Sequence, residues 1–258
     1  MSSIYQHFRS EEKDFIDQVL EWRNYVETNY APKLTDFLDP RQQRILISII
    51  GQHQEVKYSL FPNSELVERK RVLIYPDYYI PSCEDYNVAL YRLNYPVKFI
   101  TLDHRQILGS ILSLGIKREK FGDIILNQPI VQFMVAEEVS SYVQMHLNQI
   151  GKNKVSLDRV SFDQLIQSEE KWKEKVLTVS SLRLDVIIAS TYNISRQKAK
   201  DYIAGGIVKV NWKNVEQVSF DVEEGDVLSV RGLGRSKLIS IEGRTKKEKW
   251  RIVAGLLN

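Results

Sequence analysis

The sequence predicts an α+β protein of more than one domain, on three observations. The chain has 258 residues, enough for two or three domains. Its apolar spacing changes along its length, from helical near the start to mixed strand and helix in the middle. Its charge is uneven: residues 180–258 hold 14 Lys/Arg against 9 Asp/Glu, and the remainder 22 against 24. We expect an N-terminal helical/mixed α+β domain over 1–80 and a ferredoxin-like βαββαβ domain over 81–162. A linker over 163–179 then leads to a basic domain over 180–258.

Residues 1–80 read as mostly helical. Ser10-Glu11-Glu12-Lys13 starts a helix, with acidic residues in the first turn favoured by the helix dipole. Phe15, Ile16, Val19, Leu20, Trp22 and Val26 follow at helical spacing. Asp39 caps a second helix with Pro40 at its first position; Ile45, Leu46, Ile49 and Ile50 form its buried face, and Gly51 ends it. Val56–Phe61 and Arg71–Tyr75 are short strands. The cluster Glu68-Arg69-Lys70-Arg71 is read as a solvated turn rather than a phosphate contact, because short charge runs are usually solvated. Tyr75 to Pro81 is rich in proline and aromatics and marks a domain boundary.

The middle third reads strand–helix–strand–strand–helix–strand. Val88–Leu93 and Val97–Ile100 are extended. Asp103 caps a helix lined by Ile107, Leu108, Ile111, Leu112 and Leu114. Asp123–Leu126 and Ile130–Val135 are strands, Glu137–Ile150 a helix and Val155–Val160 the closing strand. RNA recognition motifs share this order, with many unrelated folds. Such a motif needs aromatics on a central strand for base stacking. Ile130–Val135 offers only Phe133, which we assign to the core. The loop with Lys117, Arg118 and Lys120 is a candidate secondary RNA contact, weighed against a plain charged loop. Ser161–Ser181 is polar and reads as a linker ending in strand-like Val176–Val179.

In the C-terminal part Ser181 caps a helix that buries Leu184, Ile187 and Ile188. Ser195 caps a second, with Ala199, Tyr202 and Ile203 inward. Arg196 and Lys200 share a face, and Gly205-Gly206 leads into the strand Ile207–Val210. Arg183 and Arg196 both fall in first helical turns. A cation there is unfavourable for the helix, so the placement suits an anionic ligand held by guanidinium and helix N–H groups.

No apolar run approaches the roughly 18 residues of a membrane span, and the first residues lack a signal-peptide core. We therefore expect a cytoplasmic protein. The single Cys83 excludes an internal disulfide and a cysteine-built zinc site. His7, His53, His104 and His146 have no ligand spacing. No nucleophile elbow, phosphate-binding loop or kinase set appears. No catalytic residue, metal or cofactor is expected.

At Leu182-Arg183-Leu184-Asp185, Ser195-Arg196, Gly206-x-Val208-x-Val210-Asn211 and Gly225-Asp226 the chain resembles the RNA-binding domain named after small-subunit ribosomal protein S-four. The resemblance implies two helices on a small bent sheet. It also implies RNA contact by Arg183, Ser195 and Arg196, with Lys198, Lys200 and Lys209 adjacent. Trp212 departs from the glycine usual in that family and puts the tightness of the turn in question. Arg231, Arg235 and Lys237 form a glycine hairpin that suits an RNA edge. Further segments are Tyr5 to Arg9, Leu34 to Pro40, Glu68 to Arg71 and Lys120 to Ile124. Together they make the whole chain similar to YlmH-like bacterial proteins, which are encoded beside cell-division genes. That similarity implies a non-enzymatic factor that binds rRNA or tRNA on the large ribosomal subunit, in rescue of stalled nascent chains. An RNA-modifying enzyme (pseudouridine synthase- or methyltransferase-like) and a protein-binding division scaffold are the alternatives. Oligomeric state is left open.

Overall fold

The computed structural model describes residues 5–6, 8–51, 53–64, 67–167 and 172–257. The chain clusters into two units, 1–169 and 170–258. Of the sequence segments above, His7 and 168–171 lie outside the described residues.

In the first unit a short 3-10 turn, Ser10–Glu12, runs into α1, Lys13–Asn29. Glu12 is buried, and its carboxylate accepts from Arg41 Nε at 2.8 Å and Nη2 at 3.0 Å. This ties the start of α1 to α2, Pro40–Ile50. Asp39 caps α2, accepting from the N–H groups of Arg41 and Gln42 at 2.9 Å each. Strands β1, Lys33–Leu38, β2, Val56–Phe61, and β3, Lys70–Pro76, form an antiparallel sheet in the order β1-β3-β2. The helices bury Ile16, Val19, Ile45, Leu46 and Ile50 against Val72 and Ile74 of this sheet. The two strands expected here, Val56–Phe61 and Arg71–Tyr75, are present as β2 and β3, and β1 joins them as a third strand that was not expected.

The Glu68–Arg71 cluster is not a solvated turn. Arg69 and Arg71 are 5% and 4% exposed. Arg69 donates to the carbonyls of Phe37 at 2.7 Å and Phe121 at 3.3 Å. Arg71 donates to the carbonyls of Thr35 at 2.7 Å and Asn87 at 2.8 Å, and meets Glu138 at 3.2 Å. A guanidinium has five donors, so it can be buried where strand ends present carbonyls. Local charge density carries no sign of such distant partners.

The central part continues with β4, Val88–Asn94, α3, His104–Leu112, β5, Phe121–Asn127, β6, Ile130–Ala136, and α4, Glu137–His146. A two-stranded ribbon of β7, Gln149–Ile150, and β8, Asn153–Lys154, turns on Gly151 at φ 60° and leads to β9, Ser156–Val160. The main sheet is antiparallel in the order β5-β6-β4-β9. Residues 97–99 form a turn rather than the expected strand, and α4 stops four residues before Ile150.

Side chains alternate across this sheet. Ala89, Tyr91, Val131, Phe133 and Val135 pack with Ile107, Ile111 and Val143 of the helices. Leu90, Met134 and Ala136 point the other way, into a second core with Phe37 and Val67. Phe162, Leu165 and Ile166 pack on that second core. Gln132, fully buried, holds this cover down: its Nε2 donates to Gln164 O at 2.8 Å, and its Oε1 accepts from Ile166 N at 2.9 Å. The assignment of Phe133 to the core is correct, and neither sheet face is an open aromatic platform.

The second unit holds β10, Trp172–Val179, α5, Leu184–Tyr192, α6, Arg196–Ala204, β11, Val208–Val210, β12, Lys213–Asn214, β13, Val227–Val230, β14, Gly234–Arg244, and β15, Trp250–Leu257. The strands form one antiparallel sheet, β10-β15-β14-β13-β11-β12. From Trp172 to Lys175 the expected linker is instead strand, continuous with the expected Val176–Val179 and paired with β15 from Trp172↔Leu257 to Val179↔Trp250. Lys173, Glu174, Lys175 and Val176 are all exposed, so the first half of this edge strand carries no apolar alternation. Leu184, Ile187, Ile188, Ala199 and Ile203 pack on Val208, Val210, Leu228, Val230 and Ile252.

The tightest packing against side chains lies at Gly122. A Cβ there would stand 2.8 Å from Phe37 Cε1 and 2.9 Å from Met134 Cβ. Gly122→Ala is expected to destabilise the fold by about 1–3 kcal/mol through overpacking. Chemical denaturation measures this; a change under about 0.5 kcal/mol would mean Phe37 moves aside freely.

Candidate nucleic-acid interface

The starts of α5 and α6 meet at one carboxylate. Arg183 is the N-cap residue of α5, in extended conformation, one step before the helical turn in which the sequence placed it. Arg196 is the first residue of α6, capped by Ser195, whose Oγ accepts from Lys198 N at 3.2 Å. Between the arginines Asp185 is wholly buried, and its two oxygens accept from Arg183 Nε at 3.1 Å and Arg196 Nε at 2.7 Å. Burial pushes the Asp185 carboxyl up, but the bonds and charges of Arg196 and Arg183 outweigh it and hold the group below its usual 3.8.

This geometry answers the electrostatic problem of a cation at a helix start. Asp185 lies in the first turn of α5, where the dipole favours an anion, and it offsets part of the arginine charge. Two cations and one anion leave a surplus of one positive charge. The side chains of Arg183 and Arg196 remain 38% and 51% exposed. Among the described residues the Nη groups of both have no partner, nor do the backbone N–H groups of Arg196 and Gln197. Guanidinium forks beside open helix N–H groups form a site for phosphate oxygens. Lys198 is exposed 5.7 Å above the Tyr202 ring, and Lys200 is half-buried on the same helix.

Strand register places the other expected contacts elsewhere. Lys209, Ser229 and Arg235 form one rung, so their side chains share a face. Val208, Val210 and Leu238, their neighbours, enter the core beneath the helices. Lys209, Arg235 and Lys237 therefore lie on the face away from α5 and α6. Arg235 sits 5.8 Å from both the Trp172 and Trp212 rings. Arg231 is exposed in the turn between β13 and β14.

Trp212 does not loosen its turn. Asn211 and Trp212 take φ of 46° and 67° and close a two-residue hairpin between Val210 and Lys213. A left-handed tryptophan costs about 1–2 kcal/mol. The buried Asn211 holds the turn: it donates to Asp226 Oδ1 at 2.7 Å and accepts from Val227 N at 3.0 Å.

In the central loop Lys120 binds Asp36 at 2.6 Å and Glu138 at 2.9 Å, and Arg118 donates to the carbonyls of Phe121 and Gly122. Of the three residues named there, Lys117 alone is exposed.

Three family models match the chain: "YlmH, N-terminal" over residues 11–79, "Putative RNA-binding domain in YlmH" over 81–164 and "S4 domain" over 182–228. The chain is 45% identical over 252 residues to the Bacillus subtilis "Ribosome-associated protein quality control protein P2", covering 98% of both chains. It belongs to the YlmH family. The YlmH match extends to structure: "Cell division protein ylmH from Streptococcus pneumoniae" superimposes with a TM-score of 0.56 at 34% identity, over 63% of this chain and 99% of that one. The small ribosomal subunit protein uS4 of a Thermoanaerobacter species is 36% identical over 80 residues, 29% of this chain and 39% of that protein.

Sequence reasoning found both YlmH arginines but not how Asp185 joins them. Its two-residue offset from Arg183 and eleven-residue offset from Arg196 give no local signal. Asp185→Asn is expected to destabilise the chain by about 1–3 kcal/mol, since a buried acceptor loses charge-assisted bonds. The Asp185 carboxyl is depressed in the fold, so its contribution is complete above pH 3.8 and is lost as pH falls below it. Denaturation of both proteins across pH 2.5–7 checks this: the gap should persist at neutral pH and close in acid.

Proposed function

We propose that this protein is a non-enzymatic RNA-binding factor that associates with the ribosome. The observation that carries the proposal is the pair Arg183 and Arg196, splinted by Asp185 at two helix starts with their outer nitrogens open. The primary contact comprises Arg183, Ser195 and Arg196, with Lys198 and Lys200 beside them. Lys209, Arg231, Arg235 and Lys237 form a separate patch, and Lys117 is the exposed member of the central loop. The name of the Bacillus relative supports ribosome association and quality control as the setting. Within that setting its partners are the large subunit and tRNA, in rescue of stalled chains, in the cytoplasm. The name of the pneumococcal relative also favours a second reading, a protein contact in cell division.

The central part is read as ferredoxin-like. Its antiparallel order β5-β6-β4-β9, with α3 and α4 as the two connections, supports the split βαβ arrangement. With both sheet faces covered, any RNA contact by this part runs through loops and edges.

Arg183→Ala with Arg196→Ala removes the contact but strands a buried carboxylate. Arg183→Gln with Arg196→Gln keeps donors for Asp185 and removes the charge. Either pair should weaken co-sedimentation with ribosomes sharply. The slope of log affinity against log salt should fall in magnitude by roughly 1.5, two phosphate contacts' worth. Unchanged co-sedimentation of the folded Gln pair would refute the proposal. A pull-down of division proteins that survives nuclease would favour the second reading.

A further inference from the structure

The β14–β15 hairpin runs past the segment matched by the S4 domain model and ends in a dense basic tip. Residues 242–251 read Glu-Gly-Arg-Thr-Lys-Lys-Glu-Lys-Trp-Arg, five cations against two anions. Both anions are engaged: Arg244 meets Glu248 at 2.9 Å and Arg251 meets Glu242 at 2.6 Å. Lys246, Lys247 and Lys249 are exposed, and among the described residues none of their ammonium groups has a partner. The tip is an ordered turn. Thr245 N donates to Lys249 O at 2.7 Å, Glu248 N donates to Thr245 O at 2.9 Å, and Thr245 Oγ1 accepts from Lys249 N at 3.2 Å. Arg244 lies against the Trp250 ring at 4.6 Å, a flat cation-on-aromatic surface of the kind that stacks on bases.

Register fixes where this tip sits. Trp250 pairs with Arg244 on one side and Val179 on the other, so the tip lies at the end of the sheet where β10 leaves for α5. Arg183 follows Val179 by four residues, at most about 14 Å of chain. The face is also defined. Trp250 packs against the same core as Val179 and Ile252, the core beneath α5 and α6. Its rung partner Arg244 shares that face. The tip thus stands at the same end and on the same side of the sheet as the Arg183–Asp185–Arg196 site. Lys209, Arg235 and Lys237 lie on the other side.

We propose that Lys246, Lys247 and Lys249, with Arg244 on Trp250, form a second phosphate-backbone contact for the same folded RNA that Arg183 and Arg196 engage. The inference rests on the RNA-binding reading above. The two exposed ion pairs of the tip are weak in water, so Arg244 and Arg251 can exchange their glutamates for phosphate when RNA arrives. A nucleic acid fits better than an acidic protein: the cations flank a half-buried tryptophan, and the tip stands at the same end and on the same side of the sheet as the two helix starts.

The test uses the full chain with two probes, unfractionated tRNA by filter binding and purified ribosomes by co-sedimentation, across a salt series. Lys246→Ala/Lys247→Ala/Lys249→Ala should flatten the salt slope by about 2 to 3 for at least one probe. Lys246→Arg/Lys247→Arg/Lys249→Arg should restore it. The substitutions lie in an exposed turn and leave the core intact, which an unchanged thermal transition verifies. If the alanine triple keeps the wild-type slope on both probes while Arg183→Gln/Arg196→Gln flattens it, the tip contact is overturned and the primary site stands. That result would also follow if the tip served an acidic protein. If the wild-type chain binds neither probe, the RNA-binding reading and this inference fall together.

Discussion

The second unit depends on one buried carboxylate. Asp185 is wholly enclosed at the junction of α5 and α6 and is satisfied by two guanidinium groups, one from each helix start. A buried charge with no partner is strongly destabilising, so the helices must meet at this point. The same contact makes the arginines usable. Each gives its Nε to Asp185, is held in place by it and presents its outer nitrogens to water. A free arginine side chain would lose about 2 kcal/mol of rotamer freedom on binding; here part of that loss is already met by folding. One interaction therefore fixes the packing of the helices and shapes the proposed phosphate site at their starts.

The first unit handles its charges differently. Arg69 and Arg71 are buried and turned onto backbone carbonyls and Glu138, and Lys120 bridges Asp36 and Glu138. These cations join the N-terminal sheet to the central one. Asp123, beside Arg69, accepts from the N–H groups of Glu68 and Arg69, and burial raises it from 3.8 to about 6. Phe37 and the Phe162–Ile166 segment close the sheet face that an RNA recognition motif would leave open. Cationic residues that look alike in the sequence thus serve opposite ends: internal fasteners in one unit, exposed contacts in the other.

That contrast explains how far the sequence could be read. Helical spacing gave α1, α2, α5 and α6, because that signal is local; the expected cap Ser181 is not the one used, since Arg183 is the N-cap residue of α5. Ser195 as the cap of α6 and Asp39 as the cap of α2 were legible from residue type alone. β1 and the first half of β10 were not, since an edge or half-exposed strand lacks a clean alternation. The burial of Arg69 and Arg71 was hidden because their partners, Phe37, Phe121, Thr35 and Asn87, are distant in sequence. The candidate residues on α5 and α6 were singled out by their positions in the helices. The separation of Lys209 and Arg235 from them is set by strand register. So is the approach of the β14–β15 tip to Arg183.

The central claim is that RNA is held at the two helix starts joined by Asp185. Ultraviolet crosslinking of the full chain to ribosomes, with mass spectrometry of the crosslinked peptides, tests it most directly. Nucleotide adducts are expected on peptides spanning Leu182 to Tyr202. Adducts confined to residues 5–167, with none in that span, would contradict it.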